Sequence, residues 1–420
     1  MVKKLVMKKI FVLFLLAGLW TACNVDSYQT ISYNVNEPVF ISGEEFRNSI
    51  KTTHEVHELS NQGKICFYDG YLYISEQGKG IHIIDNTDPS HPQFKGYIEI
   101  KGNQDITVRN HLLYADALVD LVWFDISNPS QPSLKGRIEN MFPNALPGIE
   151  NEFGYDYEMC QAGAENGQVV VGWELKKRAK VVHYDQNDVV YNDKYTLLPG
   201  TSNGITGSMS RFGLYENYLY AVINNQLSVI DLSGEKPEKA VENLYIGNNV
   251  ETIFSYKDKL FMGTPSGLVI YSVENPLNPV YCSQVAHVYG CDPVVVEDDL
   301  AYVTVHSGNF CGQNSNELII IDVSDIKQPV QLVSYAMTHP KGLGIDKDRL
   351  FLCDAGLKIF KVTDPQTLMA NQLKHYMGMD GYDVIPFDNT LMMIADKGLY
   401  QYDYSDINNI KLLSVIPVKK

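Results

Sequence analysis

The sequence predicts an all-β protein, a β-propeller of about eight four-stranded blades, with seven blades as the alternative. Val, Ile, Tyr and Phe are frequent, and no long stretch shows an apolar period of 3.6 residues. An apolar strand followed by a turn residue also recurs every 39 to 60 residues, and strand-rich repeats of about that length are typical of propeller blades. The aligned positions are Asp85, Asp125, Asp185, Asp231, Ser272, Asp322, Lys361 and Asp403.

Each repeat has room for four strands. In the second repeat they are residues 105–109, 112–116, 121–126 and 133–138. Short polar turns follow the first strand, and turns that contain proline follow the third, where the outer edge faces solvent. The third repeat is the weakest, because the turns around residues 169–174 and 180–185 are irregular. If it is not a blade, the propeller has seven.

The N-terminus predicts export. Four lysines precede an apolar run at residues 10–20, which is too short to span a bilayer and indicates a signal peptide at residues 1–22. Cys23 follows the small residues Thr21 and Ala22 and resembles the cysteine of a bacterial lipobox, which is lipidated and becomes the first mature residue. We therefore expect a protein held in the outer membrane or at the cell surface through Cys23. Ordinary secretion with an incidental cysteine is the alternative.

The rest of the chain divides into three parts. Residues 23–36 are expected to form an irregular lipidated tether, residues 37–62 a strand and short helix packed on the propeller, and residues 63–420 the propeller. Removal of residues 1–22 takes away four lysines and no acid, which lowers the formal net charge from −16 to −20. Such a charge argues against nucleic acid as a partner and against electrostatic adhesion to anionic lipid.

Four of the repeated strands resemble a known repeat. They read IHIID, LVWFD, LSVID and LIIID, and end at Asp85, Asp125, Asp231 and Asp322. They resemble the LVIVD repeat, and the chain as a whole resembles the LVIVD-repeat β-propeller lipoproteins of Bacteroidetes-type bacteria. The resemblance implies an exported, lipid-anchored propeller, and it transfers no functional residue because the family has no agreed activity. Ser272 and Lys361 replace the aspartate in two repeats, so we interpret this aspartate as a turn former.

Loop length distinguishes the two faces of the predicted propeller. The long insertions at residues 139–153, 199–210 and 307–316 all fall on one face, and loops of this kind usually carry binding. Ten carboxylates are predicted to surround the channel mouth on that face, either for a polyhydroxylated ligand or cation, calcium included, or as turn formers and solubilising groups. They are Asp105, Asp156, Glu251, Asp292 and Asp383 at the starts of inner strands, and Glu76, Asp116, Glu174, Asp354 and Asp396 at the ends of second strands.

Cysteines and aromatic residues give weaker predictions. Cys291 and Cys311 fall on the loop-rich face and are expected to form a disulfide. Cys66, Cys160, Cys282 and Cys353 lie within strand-like runs and are expected to be buried thiols. Aromatic residues beside the long loops could contact sugars or pack the loops onto the blades: Phe142, Phe153, Tyr155, Tyr157 and Phe310.

No sequence motif for catalysis is present, since the chain lacks HExxH, CxxC, GxSxG and phosphate-loop patterns. The first hypothesis is an envelope lipoprotein that binds a glycan, peptide or envelope protein through its acidic, loop-rich face. A polysaccharide hydrolase or lyase is the alternative, because two carboxylates at a suitable separation suffice for such chemistry. A passive scaffold is the third. No cofactor other than calcium is predicted.

Overall fold

The computed structural model describes residues 27–55, 57–149, 151–184, 210–223, 225–247, 250–286, 293–306 and 315–419. These residues form seven antiparallel blades and one separate two-stranded ribbon. The fold is therefore a seven-bladed propeller, the alternative to the predicted eight. Cys23, Cys291, Asp292, Phe310 and Cys311 lie outside the described residues, so their predicted roles stay predictions.

The N-terminal part consists of β1 (Ser27–Ser42), α1 (Gly43–Arg47) and β2 (Lys51–Thr53). Ser42 caps α1, because its hydroxyl accepts a hydrogen bond from the Glu45 amide at 3.1 Å. The predicted strand and capped helix are therefore present. The prediction of an irregular tether is wrong for residues 27–36, which belong to β1.

The first two blades follow directly. Blade 1 contains β3 (Gln62–Tyr68), β4 (Tyr71–Glu76), β5 (Gly80–Asp85) and β6 (Gln93–Glu99), with β2 added at its outer edge. Blade 2 contains β7 (Ile106–Arg109), β8 (Leu112–Ala117), β9 (Asp120–Asp125) and β10 (Ser133–Ile138). The second and third strands are almost completely buried because neighbouring blades cover both of their faces.

An insertion separates blades 2 and 3. It holds α2 (Tyr157–Glu165) and β11 (Gln168–Tyr184), and β11 pairs along its length with β1 in an antiparallel ribbon. The prediction of a third blade here was wrong. Residues 169–174 and 180–184 belong to one strand, because no turn residue interrupts the sequence between them.

Five further blades complete the ring. Blade 3 contains β12 (Phe212–Tyr215), β13 (Tyr218–Ile223), β14 (Gln226–Asp231) and β15 (Glu238–Tyr245). Blade 4 contains β16 (Thr252–Tyr256), β17 (Lys259–Thr264), β18 (Gly267–Ser272) and β19 (Val280–Ala286). Blade 5 contains β20 (Val294–Glu297), β21 (Leu300–Val305), β22 (Glu317–Asp322) and β23 (Val330–Ala336). Blade 6 contains β24 (Pro340–Asp346), β25 (Arg349–Asp354), β26 (Leu357–Lys361) and β27 (Gln372–Tyr376), with a 3₁₀ helix at Pro365–Asn371. Blade 7 contains β28 (Gly381–Phe387), β29 (Thr390–Ala395), β30 (Gly398–Asp403) and β31 (Lys411–Pro417).

Side-chain packing closes the ring. An apolar cluster fills each junction between neighbouring blades, including the one between blade 7 and blade 1, where Ile74 and Leu399 are fully buried. At this junction Asn86 and Gln401 exchange two carboxamide hydrogen bonds of 2.8 and 2.7 Å. Each blade takes its four core strands from one stretch of chain, so no strand exchange closes the circle.

The repeated aspartate is a turn former, as predicted. In five blades its carboxylate accepts a hydrogen bond from the amide two residues later, at 2.8–3.2 Å. Ser272 makes the same contact through its hydroxyl at 3.4 Å. These Asx-type turns fix the connection between the third and fourth strands.

Candidate functional site

The strand order defines two different faces. We call the face where the inner strands begin the mouth face, and the face that carries the hairpin turns after the inner strands the turn face. The insertion between blades 2 and 3 leaves and re-enters on the mouth face, because it joins the end of β10 to the start of β12. Seven of the ten predicted carboxylates also lie there: Glu76, Asp105, Asp116, Glu251, Asp354, Asp383 and Asp396.

Asp105 and Asp116 connect blade 2 to the first residues of blade 3. One Asp116 oxygen accepts hydrogen bonds from the amides of Gln104 and Asp105 at 2.8 and 2.9 Å, and the other binds the Arg211 guanidinium at 2.5 Å. Asp105 accepts from the amides of Ile106, at 2.9 Å, and Arg211. Burial raises the pKa of Asp105 to about 6, against the lowering effect of Lys64 and Arg211. Both carboxylates therefore stabilise the end of the insertion.

Glu76 is buried at the corresponding place in blade 1. It binds the imidazole of the fully buried His82 at 3.0 Å and the Lys79 ammonium at 3.1 Å, and it accepts a hydrogen bond from Ser60. Burial alone would raise the pKa of Glu76, but the contacts with His82, Ser60 and Lys79 outweigh it and lower the pKa to about 2. Glu76 is therefore a charge-paired structural carboxylate at neutral pH.

Blade 6 supplies a further buried ion pair on the mouth face, between Asp354 and Lys358. Asp354 accepts from the amides of Thr338 and His339, at 3.1 and 2.6 Å, and binds the Lys358 ammonium at 2.6 Å. The rings of His306 and His339 lie 5.4 Å apart beside it. Burial lowers the pKa of His306 to about 4, with smaller contributions from His339 and Lys341, so its imidazole is neutral at physiological pH.

Blade 7 carries carboxylates that are more accessible. Asp380 binds the Lys341 ammonium at 2.8 Å although its side chain is 55% exposed. The same ammonium lies 4.2 Å above the ring of Tyr382. Asp396 is half-buried and accepts a hydrogen bond from the Asp380 amide at 3.1 Å, and Asp383 accepts from the Val384 amide at 2.8 Å. The mouth face thus combines fixed cations and carboxylates, where the sequence predicted acids alone.

Asp156 and Glu174 lie in the insertion, so their predicted positions at the starts and ends of blade strands were wrong. Asp156 caps α2, where it accepts from the Met159 amide at 3.0 Å and binds Arg178 at 2.5 Å. Glu174 is exposed on β11 and binds Lys176 at 2.6 Å. Both residues were placed in a blade because the segment that forms β11 was interpreted as blade strands. In the structure β11 pairs with β1 outside the blades.

The aromatic residues beside the insertion mostly pack it in place. Phe142 is buried and stacks on Phe212 with ring centroids 6.3 Å apart, and the buried Tyr155 lies 5.2 Å from Trp173. Tyr157 is 53% exposed. Phe142 and Tyr155 therefore follow the packing interpretation, and Tyr157 is available to a ligand.

The described parts of the chain contain no group of three or more His, Cys, Asp or Glu side chains placed to hold a metal ion. Their cysteines are free thiols, and Cys160 and Cys353 are buried while Cys66 and Cys282 are half-buried. Within the same residues no helix is long and apolar enough to cross a membrane.

Sequence reasoning missed the cations of the mouth face and one buried carboxylate. Arg211 and Lys341 stand at the starts of inner strands, the position that was searched for acids. Asp120 is fully buried at the start of β9, where blades 1, 4 and 7 have Gly80, Gly267 and Gly398. This departure from glycine was the signal that could have identified it.

Comparison with known proteins agrees with the repeat seen in the sequence. The family profile described as LVIVD repeat matches residues 63–99, 103–140, 206–235 and 292–337. The chain carries LVIVD repeats. The matched segments fall in blades 1, 2, 3 and 5, and blades 4, 6 and 7 repeat the same four-stranded arrangement.

Two solved structures are similar to this chain, and the first of them bears on the fold. The computationally designed Ika8 protein is 9% identical, with a TM-score of 0.50 over 86% of this chain and 88% of that chain. Hsv2 of Kluyvelomyces marxianus is 9% identical, with a TM-score of 0.46 over 84% of this chain and 97% of that chain. At such identity the first similarity concerns the fold alone. The comparison with curated proteins found no match.

Proposed function

We propose that this LVIVD-repeat propeller is an exported, lipid-anchored protein of the cell envelope that binds a glycan at its mouth face. The observation that carries the proposal is the difference between the two faces. The mouth face receives the insertion and the buried ion pairs of Asp116 and Asp354, whereas the turn face carries short repeated turns, the 3₁₀ helix of blade 6 and exposed ion pairs. Carboxylates, amides and an exposed tyrosine are suited to sugar hydroxyls and sugar ring faces.

The contacts of Asp105 favour binding over hydrolysis. A pKa near 6 is a property that a general acid uses. However, Asp105 is 2% exposed, and its oxygens accept hydrogen bonds from Ile106 and Arg211. Glu76 has its pKa lowered to about 2 and is engaged by His82 and Lys79. Neither carboxyl group is presented to a ligand, which supports a binding protein.

A glycan panel tests the proposed activity. The purified mature chain, from residue 24 onward, would be incubated with peptidoglycan fragments, chito-oligosaccharides and capsular polysaccharides. We expect at least one of these to bind, with no shortening or modification of the glycan by mass spectrometry. Turnover of the bound glycan would contradict the proposal in favour of an enzyme, and binding of a peptide or protein alone would contradict the ligand class.

Cys23 is the proposed point of attachment to the membrane. β1 begins at Ser27, so the ribbon starts within about 15 Å of a lipid on Cys23, four Cα–Cα steps away. We expect Cys23→Ser to move the protein from the membrane fraction to the soluble fraction of the producing bacterium. Cys282→Ser, at a half-buried free thiol, is the matched control and should stay in the membrane fraction. Membrane retention of the Cys23→Ser protein would contradict the anchor.

A further inference from the structure

A small concave pocket lies on the mouth face between the insertion and blade 3. Polar atoms make up the larger part of its lining, and we call the apolar part, which includes Phe142 and Ile223, the apolar floor. Its walls carry four side-chain carboxamides, those of Asn144, Asn225, Gln226 and Asn243. We call this site the amide pocket. The turn at residues 142–145 supplies one wall, held by a hydrogen bond of 2.9 Å from the Ala145 amide to the Phe142 carbonyl.

A strand irregularity specific to blade 3 builds the opposite wall. All seven blades share a bulge within the third strand, where the outer strand has one extra residue; it falls between the fourth and fifth positions in six blades and between the third and fourth positions of the shorter third strand of blade 6. Among the described sheets, blade 3 alone has a second bulge between its third and fourth strands, at the mouth end between Leu227 and Val229, whereas the mouth-end bulges of blades 1, 6 and 7 lie between their first and second strands. Asn243 lies in this bulge with φ 49°, and its amide donates to the Ser228 hydroxyl at 3.3 Å. Bulges of this kind redirect side chains and are enriched beside binding sites.

The carboxamides are available to a ligand. Within the described residues, the side chains of Asn144, Asn225, Gln226 and Asn243 make no hydrogen bond. A carboxamide offers both donors and acceptors, so four of them around an apolar floor suit a neutral group that itself has an N–H, a C=O and a methyl. Among the residues that the structure describes, no charged side chain lines the pocket, so these residues give an ionic group no counter-charge.

The size of the pocket limits what can enter. Its volume is about 60 Å³, far below the roughly 300–1,000 Å³ of pockets that bury whole small-molecule ligands. A water-sized group needs about 10–15 Å³ of such space, so the pocket holds roughly four to six non-hydrogen atoms. An acetamido substituent has four and fits, and the rest of its sugar would lie outside, against the mouth face.

We propose that the amide pocket binds the acetamido group of an N-acetylated sugar, with the methyl on the apolar floor and the amide between the four carboxamides. The inference rests on the proposed function in one respect, that the ligand of the mouth face is a glycan. It adds the substituent that is recognised and the side chains that recognise it.

The test compares two neutral probes that differ in the acetamido group. Binding of chitotriose and of cellotriose, which has hydroxyl groups in place of the acetamido groups, to the mature chain would be measured by calorimetry, and saturation-transfer NMR would identify the sugar protons closest to the protein. We expect chitotriose to bind at least about tenfold more tightly, a difference of about 1.4 kcal/mol, with the strongest saturation at the acetyl methyl. Gln226→Leu and Asn243→Leu should each remove this preference. Asn408→Leu, at an exposed carboxamide on the turn face, should leave it unchanged.

Each outcome separates the two proposals. Equal affinity for the two probes, or a preference that survives both pocket substitutions in folded protein, would overturn the amide pocket while glycan binding at the mouth face stands. If the mature chain binds only glycans of the panel that lack an N-acetyl group, the amide pocket is likewise overturned and glycan binding at the mouth face stands. If it binds no glycan at all, the proposed function fails together with this inference.

Discussion

Replacing Asp120 by alanine is expected to lower the free energy of unfolding by about 3 kcal/mol. The carboxylate is fully buried and binds Arg47 Nε at 3.0 Å, Arg137 at 2.8 Å and the Asn140 amide at 2.9 Å. Its removal leaves two guanidinium groups facing each other, with only the exposed Glu139 carboxylate near one of them. Since Arg47 belongs to α1 and Arg137 to β10, the change would also weaken the attachment of the N-terminal helix to blade 2.

Glu139 provides the matched control for Asp120. Its carboxylate lies 3.4 Å from the same Arg47 but is 57% exposed, so Glu139→Ala should change stability by less than about 1 kcal/mol. Urea denaturation followed by tryptophan fluorescence and circular dichroism measures both variants. If Asp120→Ala unfolds at the same urea concentration as Glu139→Ala, the contacts of Asp120 with Arg47 and Arg137 do not stabilise the folded protein.

The sequence contained enough information for the blades because their signals are local. Hairpin turns, buried apolar strands and an aspartate that accepts a hydrogen bond two residues later are all encoded within one repeat. The repeat therefore predicted the strand order, and the strand order predicted which face receives the insertions. The same order placed Asp105, Asp116 and Asp354 correctly on the mouth face.

The ribbon of β1 and β11 could not be predicted in the same way. Ser27 pairs with Tyr184, and Ser42 with Gln168, so its partners are more than a hundred residues apart. Strand propensity indicates that such segments are extended but does not identify their partner. Once β11 was assigned to a blade, Asp156 and Glu174 were misplaced with it.

The partners of the mouth carboxylates were hidden for a related reason. Arg211 lies 95 positions from Asp116, so no local pattern identifies it as the partner, whereas Lys358 is only four positions from Asp354 and was missed because the strands were searched for acids alone. Counting acids along the strands therefore predicted the face on which the carboxylates lie, but it did not predict the cations that pair with them. An acidic protein of net charge −16 can therefore present a mouth on which Glu76, Asp116, Asp120 and Asp354 are buried and paired with cations.

The carboxylates of blade 7 are accessible to a ligand at the mouth face, and reversing their charge is expected to have the largest effect on binding. Asp380 is more than half exposed and Asp396 is half-buried beside it. Asp380→Lys with Asp396→Lys replaces two acceptors by cations and places one of them against Lys341. We expect at least about a tenfold loss of affinity, because the acceptors for sugar hydroxyls are lost and like charges are brought together.

A control on the turn face makes the comparison specific. Asp348→Lys with Glu274→Lys produces the same change in net charge at exposed positions on that face, where Asp348 makes loose contacts of 3.9 and 4.0 Å with Arg349 and Lys361. Thermal unfolding of both double variants would first establish that each is folded. A general effect of charge would then appear equally in the two proteins.

The central claim is that the mouth face is the binding face, and calorimetry with the tightest-binding glycan of the panel tests it most directly. The claim predicts that the Asp380→Lys, Asp396→Lys protein loses binding while the Asp348→Lys, Glu274→Lys protein binds like the native chain. Equal binding by the two variants, or loss confined to the variant on the turn face, would contradict it.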